Sequence, residues 1–254
     1  MQAWKAIAQY NRWISAHREF YTDVSPMADI AVLAQSDGRG PAESATFRLM
    51  DHLLKQSIMF ETKVVRRFAQ GRPFEQFAAL LIAEPIGALH QSEKEALRRF
   101  VEGGGRVLAT AGDRERLPWL DIRPITGQSL ARLADNQPPL QLFEEVDKLT
   151  AGRHITMGRA SHVLGNAMVK NDRRAAFVHL INYQHDRPEQ DLTLTIDLKK
   201  IFQTNDVDEV AAVQAVVVSP DSDGQYRPKT SITDAIMTVT LDRLVHYSIV
   251  VLRR

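Results

Sequence analysis

Apolar and polar positions change rhythm once along this chain, and the two rhythms predict two kinds of structure. From Trp4 to Tyr21 apolar side chains return near a helical period, at Trp4, Ile7, Ile14 and Tyr21, with Tyr10 and His17 filling the same stripe. That spacing predicts an amphipathic lead-in helix. Asp29 to Ala34 (DIAVLA) is a short apolar run of the kind a buried parallel strand needs. Gln35 to Pro41 supply turn residues, and Pro41 suits the first turn of a helix whose inner face would be Phe47, Met50, Leu53 and Leu54. Ile58-Met59-Phe60 reads as a second strand and Phe77 to Ala83 as a third. Ser92 to Glu102 reads as a helix opened by a capping box of Ser92 with Glu95, with Leu97, Phe100 and Val101 turned inward. Arg106 to Thr110 is the next strand. Strand–helix–strand repetition predicts a parallel sheet covered by helices.

After about residue 165 the period becomes two. Leu192, Leu194, Ile196 and Leu198 alternate with Thr193, Thr195 and Asp197. Ala175 to Tyr183, Val213 to Val218, Ala235 to Leu241 and Ser248 to Leu252 are further strands, parted by turn clusters such as Asp221-Ser222-Asp223-Gly224. This half is expected to be an antiparallel β-sandwich or small barrel. The expected division is a lead-in helix over 1–25, an α/β domain over 26–162 and a β-sandwich domain over 163–254.

Composition narrows the chemistry. The 254 residues are 44% hydrophobic and 25% charged, enough to bury a real core. A net charge of +1 gives no field that would draw nucleic acid or an anionic membrane. No stretch reaches the roughly 18 apolar residues of a membrane helix. The N-terminus lacks the pattern of a signal peptide, so a cytoplasmic location is expected. Cysteine is absent, which removes disulfides, thiolate metal sites and any cysteine nucleophile.

The triple glycine Gly103-Gly104-Gly105 invites a phosphate-loop reading. A phosphate loop leaves a strand and opens a helix, so that helix N–H groups face the anion. Here the helix ends and a strand begins, so the glycines are expected to cap the helix. Ser36-Asp37-Gly38-Arg39-Gly40 does follow a strand and precede a helix, but it lacks the third glycine of a dinucleotide site. Ligands of open parallel sheets bind beyond the carboxyl ends of the strands. The polar groups expected there are Asp37, Arg39, Glu84, Asp113 and Arg114, which form the candidate cleft; the commoner role of such groups is as solvated loop charges that pair or cap helices.

Other chemistries find little footing. There is no Gly-x-Ser-x-Gly elbow for a serine nucleophile. Histidine spacing suggests no metal site, and the acidic turns fit no full calcium loop, so no metal and no cofactor are expected. A complete β/α barrel, the usual holder of glycosidase carboxylates, takes about 250 residues of alternating pattern, and only four or five such units precede the all-β half.

The order of elements carries a resemblance. It comprises the lead-in helix, Ala28 to Leu33, Phe77 to Glu84, Ser92 to Gly105 with Arg106 to Thr110, then Phe177 to Tyr183 and a last strand over Leu244 to Leu252. Over nearly the whole chain this resembles the C-terminal half of trimer-forming β-galactosidases and related glycosyl hydrolases. In those proteins a catalytic barrel precedes a domain like class I glutamine amidotransferases and then a small β-domain. The resemblance implies a flavodoxin-like, amidotransferase-like three-layer α/β domain with a parallel sheet, followed by the antiparallel β-sandwich. It further implies a structural domain that mediates oligomer contacts. The turn where an amidotransferase carries its cysteine corresponds to Thr110-Ala111-Gly112-Asp113, with Ala111 or Gly112 at the nucleophile position. Cysteine-dependent glutaminase chemistry is therefore excluded.

The expected role is a non-catalytic accessory or oligomerisation protein. It would partner copies of itself or a catalytic domain, with no nucleic acid and no membrane. Trp4, Trp13 and Phe20 of the lead-in helix are candidate contacts, unless they pack on their own domain. The alternative is a carbohydrate- or small-molecule-binding protein, or an atypical hydrolase, using the strand-end cleft with Trp119 as a stacking platform.

Overall fold

A computed structural model gives the protein's structure and describes residues 2–35, 44–65, 74–85, 89–109, 117, 118, 120, 122–158, 162–184, 186–222 and 224–254, with the backbone alone of 2–6. The chain divides into two units. One comprises Ala28–Leu54 and Ile58–Arg153; the other comprises Met1–Met27, Lys55–Ser57 and His154–Arg254.

The chain opens with helix α1 (Gln2–Ala16) and strand β1 (Val24–Pro26), which belong to the second unit. It then builds the α/β unit from β2 (Ile30–Ala34), α2 (Ala45–Lys55), β3 (Phe60–Val64), β4 (Ala79–Ile82), α3 (Gln91–Glu102), β5 (Arg106–Ala109), β6 (Ile122–Pro124), α4 (Gly127–Ala134) and α5 (Leu140–Leu149). The five strands make one sheet in the order β3-β2-β4-β5-β6, and all its pairs are parallel. Side chains alternate between two cores, as the pleat requires. Ala31, Leu33, Leu80 and Ile82 enter one core with Leu97 and Phe100 of α3. Ile30, Val32, Ala79 and Leu81 enter the other with Leu49 and Leu53 of α2, Leu133 of α4 and Phe143 of α5. Strands covered on both faces have no solvent side, which is why DIAVLA and FAALLIA read as unbroken apolar runs.

The three glycines end α3 as its geometry demands. Gly104 takes φ +92°, its N–H donates to the Val101 carbonyl, and the Gly105 N–H donates to the Phe100 carbonyl. This is the paired hydrogen-bond pattern of a helix closed by a left-handed residue. A Cβ on Gly105 would lie 2.2 Å from the Phe100 ring, so the third glycine is fixed by packing.

Three local expectations are corrected. Helix α3 begins a residue earlier than expected, and the Glu93 carboxylate, not Glu95, accepts from a helix-start N–H, that of His90 at 2.8 Å. Glu95 instead accepts from the Gln91 amide one turn away. The second strand is Phe60–Val64, so Ile58 and Met59 precede it. Helix α2 buries Thr46, Leu49, His52 and Leu53, while Phe47 is exposed. A start at Ala45 after Ser44, which accepts from the Phe47 N–H, sets that phase; Pro41 lies outside the described residues.

The second unit continues with β7 (Ile155–Met157), β8 (Val163–Lys170), β9 (Ala175–Asn182), β10 (Glu189–Asp197), α6 (Leu198–Phe202), α7 (Val207–Ala211), β11 (Gln214–Val218), β12 (Gln225–Tyr226), β13 (Lys229–Thr233), β14 (Ile236–Leu244) and β15 (Tyr247–Arg253). Antiparallel pairing gives a six-stranded sheet, β1-β8-β9-β15-β11-β12, and a four-stranded sheet, β13-β14-β10-β7, compatible with a β-sandwich. Leu192, Leu194 and Ile196 of β10 face Leu241, Val239 and Met237 of β14, and all six are buried. Strand β15 is buried on both faces. Val250 and Leu252 face one way, and Ile249 and Val251 turn to the other, where Phe20, Phe177 and Trp13 cover them.

Candidate functional site

Of the expected cleft residues, Asp37, Arg39, Asp113 and Arg114 lie outside the described residues, as does Trp119. Glu84 is described, two residues beyond β4. Its Oε1 accepts from the Ala45 N–H at 2.6 Å, and its Oε2 accepts from the Ser44 and Thr46 hydroxyls at 3.1 and 3.3 Å. These groups form the first turn of α2, where free N–H groups and the helix dipole favour an anion. Glu84 therefore holds the helix that follows β2 against the end of β4, on the side of the sheet where a ligand crevice would open.

Near the same end of the sheet, Lys63 of β3 is almost fully buried. Its Nζ lies 2.6 Å from Glu61 Oε1 and 5.9 and 5.4 Å from the centroids of Phe74 and Phe77. An ammonium taken from water is tolerated because a carboxylate and two aromatic faces replace its hydration. Period two places Glu61 and Lys63 on one face of the strand, but nothing in FETKV distinguishes a buried lysine from an exposed edge lysine.

The lead-in helix makes the second polar cluster. Trp13 stacks on His17 at 4.4 Å between centroids and meets Tyr247 edge-on at 5.9 Å, while Phe20, 3% exposed, packs on Phe177. Trp13 and Phe20 thus pack within their own unit; the side chain of Trp4 lies outside the description. The Tyr10 hydroxyl donates to Asp221 at 2.6 Å, and Asp221 also accepts from the backbone N–H groups of His246 and Tyr247. Burial works to raise the Asp221 pKa, but these hydrogen bonds outweigh it and leave the carboxyl below its ordinary range. Tyr247 lies 2.8 Å from Tyr21 and 2.6 Å from His179 Nδ1. Burial pushes His179 down to about 4, so its ring is neutral at physiological pH. The helix faces the β-sheet through Tyr10, Trp13 and His17, continued by Phe20, leaving Ile7 and Ile14 half exposed. In the sequence Asp221 stands out only as part of a turn, because its partners lie 25, 26 and 211 residues away.

Among the described residues no group of three or more histidine or acidic side chains converges on a point that could hold a metal ion. None of the described helices is long and apolar enough to cross a membrane.

No protein-family model matches the sequence, and no curated protein matches it. Solved structures do match the fold. An α-L-fucosidase, isoenzyme 2 from Paenibacillus thiaminolyticus, aligns with 95% of this chain and 51% of its own at 11% identity, with a TM-score of 0.67. A rhamnosidase from Novosphingobium sp. PP1Y aligns with 90% of this chain and 23% of its own at 11% identity and TM-score 0.52. A GH42 β-galactosidase from G. stearothermophilus aligns with 89% of this chain and 40% of its own at 10% identity and TM-score 0.47. The chain shares its fold with the matching parts of the fucosidase and the rhamnosidase. It spans about half the length of the fucosidase chain it resembles and less of the other two.

Proposed function

We propose that this chain is a non-catalytic accessory protein that assembles with copies of itself, related to the C-terminal half of β-galactosidase-like glycosyl hydrolases. One observation carries the reading: nearly all of the chain follows a fold that makes up only half of the fucosidase chain. The parallel strand order, with β2 between β3 and β4, supports a flavodoxin-like, amidotransferase-like reading of this domain. The absence of cysteine removes the thiol chemistry such a domain can carry. Glu84 supports the structural role, since its carboxylate is occupied by the start of α2.

For assembly, α1 supplies a face. Ile7 and Ile14 stand seven residues apart on one side of the helix, 50% and 39% exposed. Apolar side chains repeated on one helix face are the usual material of a contact with another chain. Light scattering at tens of micromolar, run beside assays on aryl fucosides, galactosides and rhamnosides, tests both halves of the proposal. Oligomers without glycosidase turnover are expected. A strict monomer, or turnover that follows the purified chain, would overturn it.

A further inference from the structure

At one end of the six-stranded sheet a groove of about 550 Å³ lies against β11, β12 and the end of β15. Arg227, Arg253 and Arg254 line it, with the amides of Gln214 and Gln225 and with Val216 between them. In the strand register Gln214 lies opposite Arg253, so an amide and a guanidinium enter the groove side by side. Two acidic groups lie nearby, and one of them is held in an ion pair. Glu209 pairs with Arg254, whose guanidinium also lies over Phe202, and the charge of Asp242 acts on Tyr226. Among the described residues Arg227 and Arg253 meet no carboxylate or carbonyl.

We propose that this groove binds a carboxylate-bearing saccharide, a uronate unit within a short acidic chain. Two planar guanidinium forks without a protein partner match a carboxylate, which they hold through paired, charge-assisted hydrogen bonds. The two glutamine amides each offer a donor and an acceptor, the pairing that sugar hydroxyls require. The volume falls within the range of small-molecule pockets and exceeds what a lone ion needs. The carboxylate assignment rests on the arginines alone; the saccharide assignment rests on the accessory-protein reading above.

Calorimetric titration of the full chain with trigalacturonate, galactotriose, galactose 6-sulfate and acetate tests the proposal. Saturable binding of trigalacturonate is expected, tighter than that of the other three. Arg253→Gln and Arg227→Gln should each weaken it about tenfold, the scale of one lost charge-assisted contact, and leave the thermal melt unchanged because both side chains are exposed. Galactotriose binding as tightly as trigalacturonate, a preference for the sulfate ester, acetate binding equally well, or variants that bind like the parent would each overturn the proposal. So would the absence of saturable binding by any probe. The titration reads a single chain, so its failure leaves assembly standing, and a monomer in light scattering leaves the groove standing.

Discussion

The hydroxyl of Tyr247 lies 2.6 Å from Nδ1 of His179, in a pocket where burial holds the imidazole neutral down to about pH 4. An unfolded histidine titrates near 6.5, so between 6.5 and 4 the unfolded chain takes up a proton that the folded chain refuses. Stability is then complete above 6.5 and falls as the pH drops toward 4, by roughly 3 kcal/mol for this one group. Urea unfolding of the protein and of His179→Gln across that window should show the difference: the variant loses this part of the acid slope. Equal slopes would refute the assignment.

Asp221 ties α1 to the sheet through Tyr10. Tyr10→Phe removes one hydrogen bond to a charged group and should cost about 1–2 kcal/mol; Asp221→Ala strips two further donors, the backbone N–H groups of His246 and Tyr247, and should cost about 2–4 kcal/mol. The two losses should fall short of adding, since both variants break the same contact. A double-mutant cycle by chemical denaturation measures the shortfall.

Glu84→Gln keeps the shape of the side chain but removes the charge that faces the α2 N-terminus. A loss of about 1–2 kcal/mol is expected, with hydrogen exchange speeding first in Ala45 to Leu49. An unchanged exchange pattern would mean that the carboxylate does not hold this helix.

Gly105→Ala drives a methyl into the Phe100 ring and should destabilise the α/β unit by about 1–3 kcal/mol, whereas Gly104→Ala should cost about 1 kcal/mol through its backbone angle alone. Phe100→Leu should relieve the first variant and leave the second unaffected, as thermal melts of the pairs would show.

Strands covered on both faces announce themselves, and β2, β4 and β5 were legible for that reason, as was β10 from its strict alternation. Register within a helix was less legible. Phe47 and Leu49 are both apolar, and the choice between them rests on the phase set by Ser44, which a stripe of four residues cannot reveal. Ile7, Tyr10, Ile14, His17 and Tyr21 fit one helical stripe, and Trp13 with Phe20 stands beside it. Only the sheet that α1 meets decides which stripe is covered, and that sheet is formed by strands some 160 residues later. The cleft was half legible: Glu84 stands at a strand end as expected, but a charge at a strand end does not disclose that a helix start occupies it. Lys63 gave no signal, because burial of a lysine depends on the aromatic rings that fold over it.

Assembly through the outer face of α1 is tested most directly by sedimentation equilibrium of the parent chain beside Ile7→Glu/Ile14→Glu. Both positions are half exposed within the chain, so the double variant should stay folded, melting below the parent only by what association adds. The parent is predicted to sediment as a concentration-dependent oligomer and the variant as a monomer. A parent that stays monomeric at every concentration, or a variant that still associates, would contradict the account.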